Sequence, residues 1–202
     1  MDDAVLRSMA KWPNVPAVYG WLRLDRRGNW LLKGERINNP AIVEFIGRNY
    51  EPDAQGRWFF QNGAQRVYVE LEYTPLVYHV VSALDAPLLL EGNDGRLAAG
   101  ISGAWMDDNG DLLVETERGV GLVLDRDLEN VVPALADEQG NPLPEDDLDE
   151  ITTRLQQGEL EPLWLKYADV NVSISPIRAH EVARRFRFVA APSPASGEQA
   201  CA

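Results

Sequence analysis

The feature that most constrains the fold of this chain is a set of short turn motifs that recurs, in the same order, in its two halves. Asp25-x-x-Gly28 is matched 82 residues later by Asp107-x-x-Gly110, and Asp53-x-x-Gly56 is matched 84 residues later by Asp137-x-x-Gly140. Aspartate and glycine are typical turn residues, because the Asp side chain bonds to the backbone two residues on and glycine tolerates positive φ. The motifs therefore predict a matching pair of turns in each half.

A strand that ends in proline is the third recurring feature. Residues 69–76 read VELEYTPL, and residues 170–177, which follow 101 residues later, read VNVSISPI. The growth of the spacing from 84 to 101 residues implies an insertion in the second half. A helix predicted over residues 148–155, which begins within the acidic run Glu145–Glu150, would account for it. Such turns also recur by chance, but the ordered match of three features favours two copies of a small α+β unit.

These elements lead to a prediction for the fold and its domains. Each half reads as hairpin, helix, hairpin, long strand and proline, and Val67–Tyr73 alternates apolar and polar side chains as a strand does. We predict an α+β fold of two related small units in tandem, each an antiparallel sheet plus a helix. Residues 1–85 form the first unit, residues 86–190 the second with its inserted helix, and residues 191–202 a disordered tail.

The charge of the chain limits its partners. The sequence has 19 Lys and Arg against 32 Asp and Glu, which gives a net charge of −13. Residues 1–66 sum to +3 and residues 67–202 to −16. An acidic surface repels a phosphate backbone, so we predict no nucleic-acid partner. The simplest interpretation of the acidity is solubility, and a docking face that carries both signs of charge is the alternative.

Cysteine content and hydropathy bear on the location of the protein. Cys201 is the one cysteine, so a disulfide framework and a cysteine zinc site are excluded. The N-terminal residues lack the basic and apolar regions of a signal peptide, and uninterrupted apolar runs are only a few residues long. We therefore expect a cytoplasmic protein with no membrane partner.

The sequence motifs of common catalytic and cofactor sites are missing. No Gly-x-Ser-x-Gly elbow, dinucleotide-binding loop or Walker-type phosphate loop occurs. His79 lies in an apolar strand and His180 opens a predicted helix, and we interpret both as structural, with a catalytic base as the alternative. We predict no cofactor, and the chain reads as a non-enzyme rather than an enzyme.

Acidic residues offer two weak candidates for chemistry. Asp107–Asp111 is similar to a calcium loop, but Leu112 stands where such a loop needs glycine, so we predict no metal site. Glu70 and Glu72 share one face of a predicted strand, about 7 Å apart by strand rise, which is near the carboxylate spacing of a glycosidase. The solvated side of a sheet is the simpler interpretation.

One polar and aromatic cluster is the candidate site for a ligand or partner. Arginine and aromatic residues dominate the energetics of binding surfaces, and arginine holds a carboxylate or phosphate with two parallel hydrogen bonds. The alternative is an ordinary aromatic core with solvated arginines at its rim. The candidate residues, which lie near the ends of the predicted helix and second hairpin of the first half, are Arg48, Tyr50, Trp58, Gln61, Arg66 and Tyr68.

Several segments of the first half resemble an uncharacterised proteobacterial family known as a domain of unknown function. The resemblance covers about residues 10–80 well and the rest loosely, and it implies a bacterial origin and no activity. The segments that carry it are residues 12–16 (WPNVP), 19–22 (YGWL), 45–50 (FIGRNY), 56–63 (GRWFFQNG) and 66–71 (RVYVEL).

The chain is also distantly similar to a second uncharacterised bacterial family of two-part α+β proteins, which pair Asp-x-x-Gly-x-Trp hairpins with a helix. This resemblance implies a duplicated fold with a signalling or ligand-binding role and no established catalysis. The chain departs from that pattern at Gly110, which Asp111 and Leu112 follow.

Three functions are consistent with these observations. The first is a non-enzymatic ligand- or protein-binding or regulatory module, which predicts a groove or patch near the candidate cluster. The second is a carboxylate-dependent hydrolase or transferase, which predicts a pocket with a buried carboxyl group of raised pKa. The third is a structural subunit of a larger assembly, which predicts an exposed apolar patch.

Overall fold

The computed structural model describes most of the chain, in seven segments. The described residues are 1–12, 15–83, 86–141, 143, 153, 163–194 and 200–201. They form two compact units: unit 1 comprises Met1–Pro75, Asn93–Gly95 and Arg187–Ala202, and unit 2 comprises Leu76–Gly92 and Arg96–Phe186. The domain boundaries at residues 85 and 190 stay a prediction.

The described elements are mostly strands, with a few short helices. The helices are α1 (Asp3–Lys11), α2 (Pro40–Arg48), α3 (Leu128–Val131) and α4 (Val182–Arg185). The strands are β1 (Ala17–Leu24), β2 (Trp30–Leu32), β3 (Glu35–Arg36), β4 (Tyr50–Pro52), β5 (Trp58–Asn62), β6 (Gln65–Leu71), β7 (Leu76–Val80), β8 (Leu90–Gly92), β9 (Ile101–Asp107), β10 (Leu112–Thr116), β11 (Gly119–Val123), β12 (Leu135–Ala136), β13 (Leu163–Tyr167), β14 (Val170–Ile177) and β15 (Ala200–Cys201).

Each unit is built on a mixed sheet. In unit 1 the strand order is β3-β2-β1-β6-β5-β4, with β15 beside the start of β1, and in unit 2 it is β12-β13-β14-β9-β10-β11-β7-β8. Neighbouring strands are antiparallel except for β1–β6, β1–β15, β9–β14 and β7–β11, which are parallel. The predicted α+β class is confirmed, but the prediction of antiparallel sheets holds only in part. A crossover that includes α2 and the β4–β5 hairpin separates β1 from β6, so these two strands run in the same direction.

The two sheets share one strand path. Read from β3, the six strands of unit 1 follow the order that β11, β10, β9, β14, β13 and β12 follow in unit 2. Leu24 and Met106 are equivalent, because each directly precedes the aspartate of its Asp-x-x-Gly turn. Leu24 lies opposite Leu71 in unit 1, and Met106 lies opposite Pro176 in unit 2. Equivalent residues of the long strands are therefore 105 positions apart, and the sequence match at 101 positions is four residues out of register. The inserted residues accordingly lie between Gly140 and β13.

Four Asp-x-x-Gly turns have one geometry, as the motifs predict. In each, the glycine N–H donates to the aspartate carbonyl at 2.9–3.1 Å, and the glycine φ lies between 77° and 85°. The aspartate carboxylate accepts the N–H of the residue four positions on, at 2.8–3.0 Å. Only glycine adopts this φ without strain, which explains the fourth position of the motif. The four aspartates are Asp25, Asp53, Asp107 and Asp137.

The helix predicted from Asn39-Pro40 is present as α2 and packs on one face of the unit 1 sheet. The Asn39 side chain accepts the Ala41 N–H at 3.0 Å, which caps the first turn. The Phe45 ring meets the Phe60 ring of β5 edge-on at 5.4 Å, and Ile46 is buried. These contacts define the inner face of the sheet.

Some sequence predictions fall largely outside the described residues. The acidic run Glu145–Glu150 and the helix over residues 148–155 lie there, Thr153 excepted. Of the predicted disordered tail, residues 195–199 and 202 also lie outside, whereas Ala200 and Cys201 pair with β1. Within the described part of the chain, no helix has the length and hydrophobicity needed to cross a membrane.

Candidate functional site

The six candidate residues divide between the two faces of the unit 1 sheet. Side chains alternate along a strand, so consecutive residues of β5 and β6 point to opposite faces. Trp58 and Phe60 lie on the inner face with α2, whereas Phe59 contacts Tyr68 and Arg66 on the other side, the outer face. The sequence places the candidates close together, but the sheet separates them.

Tyr50 and Trp58 belong to the core. They are 1% and 4% exposed, and their ring centroids are 4.7 Å apart. The Tyr50 hydroxyl donates to the Pro75 carbonyl at 2.9 Å, and the Trp30 ring meets the Tyr50 ring edge-on. These residues stabilise the inner face and offer no surface to a ligand.

Arg48 and Gln61 have local partners. Arg48, at the end of α2, pairs with Asp2 at 3.3 Å and with Glu44 at 3.7 Å. Gln61 is buried, and its amide nitrogen donates to the Gly63 carbonyl at 3.1 Å. Arg48 therefore ties α2 to the start of α1, and Gln61 supports the β5–β6 hairpin.

Arg66 and Tyr68 lie on the outer face, where they join three residues that the sequence analysis did not select. Tyr19 stacks on Tyr68 with ring centroids 4.6 Å apart, and the Arg57 guanidinium lies 4.4 Å from the Tyr68 ring centroid. The Arg66 guanidinium lies 4.0 Å from the centroid of the buried Phe59 ring. We call this set of five, Tyr19, Arg57, Phe59, Arg66 and Tyr68, the arginine–aromatic face.

The alternation of side chains along β5 could have predicted that Phe59 lies on the outer face, since its neighbours Trp58 and Phe60 lie on the inner face. Tyr19 and Arg57 carried no such signal, because their places depend on pairing between strands distant in sequence. Arg57 is positioned by its hydrogen bonds to Asp53 of the turn and to the Tyr68 hydroxyl of β6. No hydrophobic pattern in the sequence marks its position.

A hydrogen-bonded network holds one end of this face in place. Arg57 Nε lies 2.7 Å from Asp53 Oδ2, and the Tyr68 hydroxyl lies 2.7 Å from the Arg57 guanidinium and 3.1 Å from the same carboxylate oxygen. Burial disfavours the charged carboxylate, but hydrogen bonds from Arg57, Gln55 and Tyr68 outweigh it and hold the pKa of Asp53 below its ordinary value. Burial likewise opposes the charge of Arg57, and its bond to Asp53 raises the Arg57 pKa nonetheless. Both groups are charged, and this end of the face is packed, with Tyr68 only 2% exposed.

Unit 2 shows which of these positions the fold itself requires. At inner-face positions, Trp58 and Val69 correspond to the buried Leu163 and Ile174. At outer-face positions, Arg66 and Tyr68 correspond to Asn171 and Ser173, 105 residues on. The shared strand path thus keeps apolar residues inside in both units. On the outer face Arg66 and Tyr68 are particular to unit 1, whereas Phe59 has an aromatic counterpart in Trp164.

Of the carboxylates considered for catalysis, that of Asp107 is held by hydrogen bonds within its own turn. Glu70 lies opposite Arg23 across the β1–β6 pair. Asp107 is 1% exposed, and its carboxylate accepts the N–H groups of Asn109 and Asp111 at 2.8 and 3.0 Å. Within the described part of the chain, no group of three His, Cys, Asp or Glu side chains is placed to hold a metal ion.

The carboxyl groups with displaced pKa values are displaced in the direction of a stable carboxylate. Hydrogen bonds lower the pKa of Asp108, chiefly from the Ala179 N–H, and that of Asp137, chiefly from the Asn141 side chain. Asp53 behaves in the same way. A general acid needs the opposite, a carboxyl group that keeps its proton near neutral pH.

The histidines have ordinary structural surroundings. His79 Nδ1 lies 3.1 Å from the Arg126 guanidinium and 3.6 Å from Asp127 Oδ2, and burial followed by the charge of Arg126 lowers the pKa of His79. His180 is exposed in the helical turn before α4.

Comparison with known proteins gives a family and a fold. Residues 1–193 match a family described as "Protein of unknown function (DUF2946)". A DUF1285 family protein from Silicibacter pomeroyi DSS-3 is similar in structure, with a TM-score of 0.55 and 16% identity over 87% of this chain and 96% of that chain. A DUF1285 family protein from Shewanella baltica OS155 has a TM-score of 0.41 and 15% identity over 52% of this chain and 85% of that chain.

No curated protein is significantly similar to the chain. The first solved structure therefore supplies a shared fold and no activity. The predicted resemblance to an uncharacterised family, and more distantly to a second one, is confirmed.

Proposed function

The chain belongs to the family of unknown function that residues 1–193 match, and from that premise we propose that it is a non-enzymatic binding protein whose arginine–aromatic face receives a ligand or partner. Tyr68 and Phe59 are each 2% exposed, so the part of the face open to a ligand consists of the half-buried Tyr19, Arg57 and Arg66. Tyrosine and arginine are among the residue types that dominate binding energetics. The cytoplasmic location expected from the sequence is part of the same proposal.

One observation carries this proposal: Asn171 and Ser173 of unit 2 stand where unit 1 has Arg66 and Tyr68, although Phe59 keeps an aromatic counterpart in Trp164. A feature that the fold required would recur at Asn171 and Ser173, since the strands follow the same path. The residues that do recur are those of the core. Side chains that differ between equivalent outer positions are not required by the strand path that the two units share.

Arg66 is the proposed anchor of the face. It forms no ion pair with any residue that the structure describes, and its guanidinium lies 4.0 Å from the centroid of the buried Phe59 ring. A guanidinium held in this way keeps its edge donors available for a carboxylate or phosphate, at little loss of side-chain freedom. The expected ligand or partner therefore presents an anionic group.

We also infer that the two units arose by duplication of one small α+β unit. The shared strand path and the four turns of one geometry support this origin. Duplication followed by divergence of the outer positions would explain why one unit carries the arginine–aromatic face.

A thermal-shift screen of the purified protein against metabolites, nucleotides, lipid head groups and divalent ions tests the proposal. A ligand that binds only the folded state must raise the melting temperature. The shift should disappear in Arg66→Ala and persist in Arg26→Ala, a matched control in which another arginine is removed from an aromatic ring, that of Tyr73. A shift that both variants lose equally would contradict the assignment to this face.

A protein partner calls for a second measurement. A photo-crosslinking amino acid at position 66 should capture the partner in cells, whereas the same group at position 26 should not. The proposal is wrong if neither a ligand that depends on Arg66 nor a crosslink specific to position 66 is found.

A further inference from the structure

A cleft of about 550 Å³ lies within unit 2 and plays no part in the proposed function. Its apolar lining includes Pro87, Leu88 and Pro133, and its charged lining consists of Lys166 and Asp169. Small-molecule sites typically enclose roughly 300–1,000 Å³ and combine an apolar lining with a few polar groups. The cleft has the size of such a site, and its lining combines apolar side chains with a polar side that is exposed to solvent.

The β13–β14 hairpin supplies the charged side of the cleft. Lys166 is the fourth residue of β13, and Ala168 and Asp169 form the loop that leads into β14. Neither Lys166 nor Asp169 forms an ion pair with a described residue. A cation and an anion are therefore both available to a ligand within three positions of one hairpin.

The equivalent hairpin of unit 1 shows that these residues are not demanded by the turn. Ala168 has a φ of 50°, and the residue 105 positions earlier, Gly63, has a φ of 58°. A positive φ strains alanine but not glycine, so unit 2 keeps a side chain where the same turn is more easily made without one. Outliers of this kind cluster at functional sites.

The two charges differ from their counterparts as well. Lys166 corresponds to Gln61 and Asp169 to Ala64, so each position of this hairpin that lines the cleft has a different residue in unit 1. The core residue of the same strand, Leu165, keeps the apolar character of its counterpart Phe60. Between residues 58–69 and 163–174 the one identical pair is Val67 and Val172, so these differences show only that the shared fold does not require the residues that face the cleft.

We propose that this cleft binds a small zwitterion with an apolar body, of the class of a short apolar peptide or an apolar amino acid. Lys166 receives its carboxylate, Asp169 receives its ammonium group, and Leu88 and Pro133 contact the apolar part. A ligand with one charge leaves the other side chain without a partner and binds less tightly.

Titration of the isotope-labelled full chain with the dipeptide leucyl-leucine, followed by NMR, tests this proposal. The N-acetylated dipeptide lacks the ammonium group and the dipeptide amide lacks the carboxylate, so each removes one charge at nearly constant shape. We expect saturable shifts of the Leu88, Lys166 and Asp169 amides with the dipeptide. Each modified form should bind roughly two- to fivefold more weakly, the usual range for one exposed charge pair.

Two substitutions copy the hairpin of unit 1 and assign each charge. Lys166→Gln removes the partner of the carboxylate, so this variant should bind the dipeptide amide as tightly as leucyl-leucine. Asp169→Ala removes the partner of the ammonium group, so this variant should bind the acetylated dipeptide as tightly as leucyl-leucine. Both side chains are exposed, so the melting temperature should stay within a degree or two of the native value, as expected of surface substitutions.

Three results would overturn the proposal: no saturable shift in the cleft, shifts only outside it, or equal affinity for the three dipeptides. None of these results bears on the proposal for the arginine–aromatic face, which is tested separately with Arg66→Ala.

Discussion

At the scale of single residues, close contacts between backbone segments decide which glycines are indispensable. Gly56 has a φ of 77°, and a Cβ there would stand 2.1 Å from the Arg187 carbonyl oxygen. Gly95 has a φ of 73°, yet a Cβ would meet nothing within 4 Å. The two positions separate the strain of a positive φ from the additional effect of a clash.

We expect Gly95→Ala to lower the free energy of unfolding by about 1–2 kcal/mol, the strain of a left-handed conformation. Gly56→Ala should lower it by roughly 1–3 kcal/mol more, because backbone atoms must move to admit the methyl group. Urea unfolding monitored by circular dichroism measures both. Equal losses in the two variants would show that the Arg187 backbone yields freely.

The pair of Asp53 and Arg57 makes stability depend on pH. The pKa of Asp53 is held below its ordinary value of 3.8. A carboxyl group with a lowered folded pKa contributes stability that is fully present above its unfolded pKa and lost as the pH falls through its folded pKa.

Asp53→Asn keeps the turn acceptor but removes the charge opposite Arg57, so at pH 7 it should lower the free energy of unfolding by about 1–3 kcal/mol. The difference from the native protein should begin to shrink at about pH 4, where the Asp53 carboxylate of the unfolded chain takes up a proton, and should be lost as the pH falls through the lower pKa of the folded state. Urea titrations over that range measure it. Asp25→Asn is the matched control, because the Asp25 turn has the neutral Asn29 at the position where the Asp53 turn has Arg57. A difference that does not change with pH would contradict the role of this charge pair.

At the scale of elements, α2 is placed by an unusually close approach. A Cβ at Gly47 would lie 2.7 Å from the Asp94 carbonyl oxygen, so the helix meets the 93–95 segment backbone to backbone. Glycine is a poor helix former, and its presence in α2 is explained by this contact rather than by helix propensity.

Gly47→Ala should therefore destabilise the protein by roughly 1–3 kcal/mol, although the same change in an exposed helix stabilises by about 1 kcal/mol. The sign of the change in unfolding free energy is the decisive measurement. Ala41→Gly, in the exposed first turn of α2, is the control and should follow helix propensity alone. A stabilising Gly47→Ala would mean that the 93–95 segment does not hold this position in solution.

At the scale of the whole molecule, unit 1 is completed by residues from the end of the chain. Val189 N–H donates to the Gly56 carbonyl at 2.9 Å, Leu71 N–H donates to the Ala190 carbonyl at 2.8 Å, and Phe188 is buried. Burial of one such aromatic side chain stabilises by about 1.5–3 kcal/mol.

Removal of residues 187–202 should destabilise unit 1 by at least about 2 kcal/mol, whereas removal of residues 195–202 should have a smaller effect. Hydrogen exchange should show faster exchange in β6 and in the Asp53 turn, with β13 and β14 unchanged. Uniform loss of protection in both units would instead show that the molecule unfolds as one cooperative body.

Much of the local structure could be predicted from the sequence. The four turns follow from Asp-x-x-Gly because the side-chain acceptor and the glycine φ are local properties. The α2 cap at Asn39 and the α+β class follow from local signals too. The sequence match between the two long strands is four residues away from the structural equivalence, because the prolines and valines indicate a strand but not the register in which it pairs.

The candidate site required the tertiary structure. Tyr50, Trp58, Arg66 and Tyr68 are close in sequence, but the two-residue period of a strand sends neighbours to opposite faces, and only helix packing shows which face is buried. Tyr19 reaches Tyr68 through a parallel pairing between strands far apart in the chain. The sequence by itself thus determined the turns, the α2 cap and the repeated order of elements, since these depend on interactions a few residues long. The mixed sheets, the arginine–aromatic face and the cleft were decided by tertiary structure, because they depend on which distant strands pair and which side of each sheet is covered.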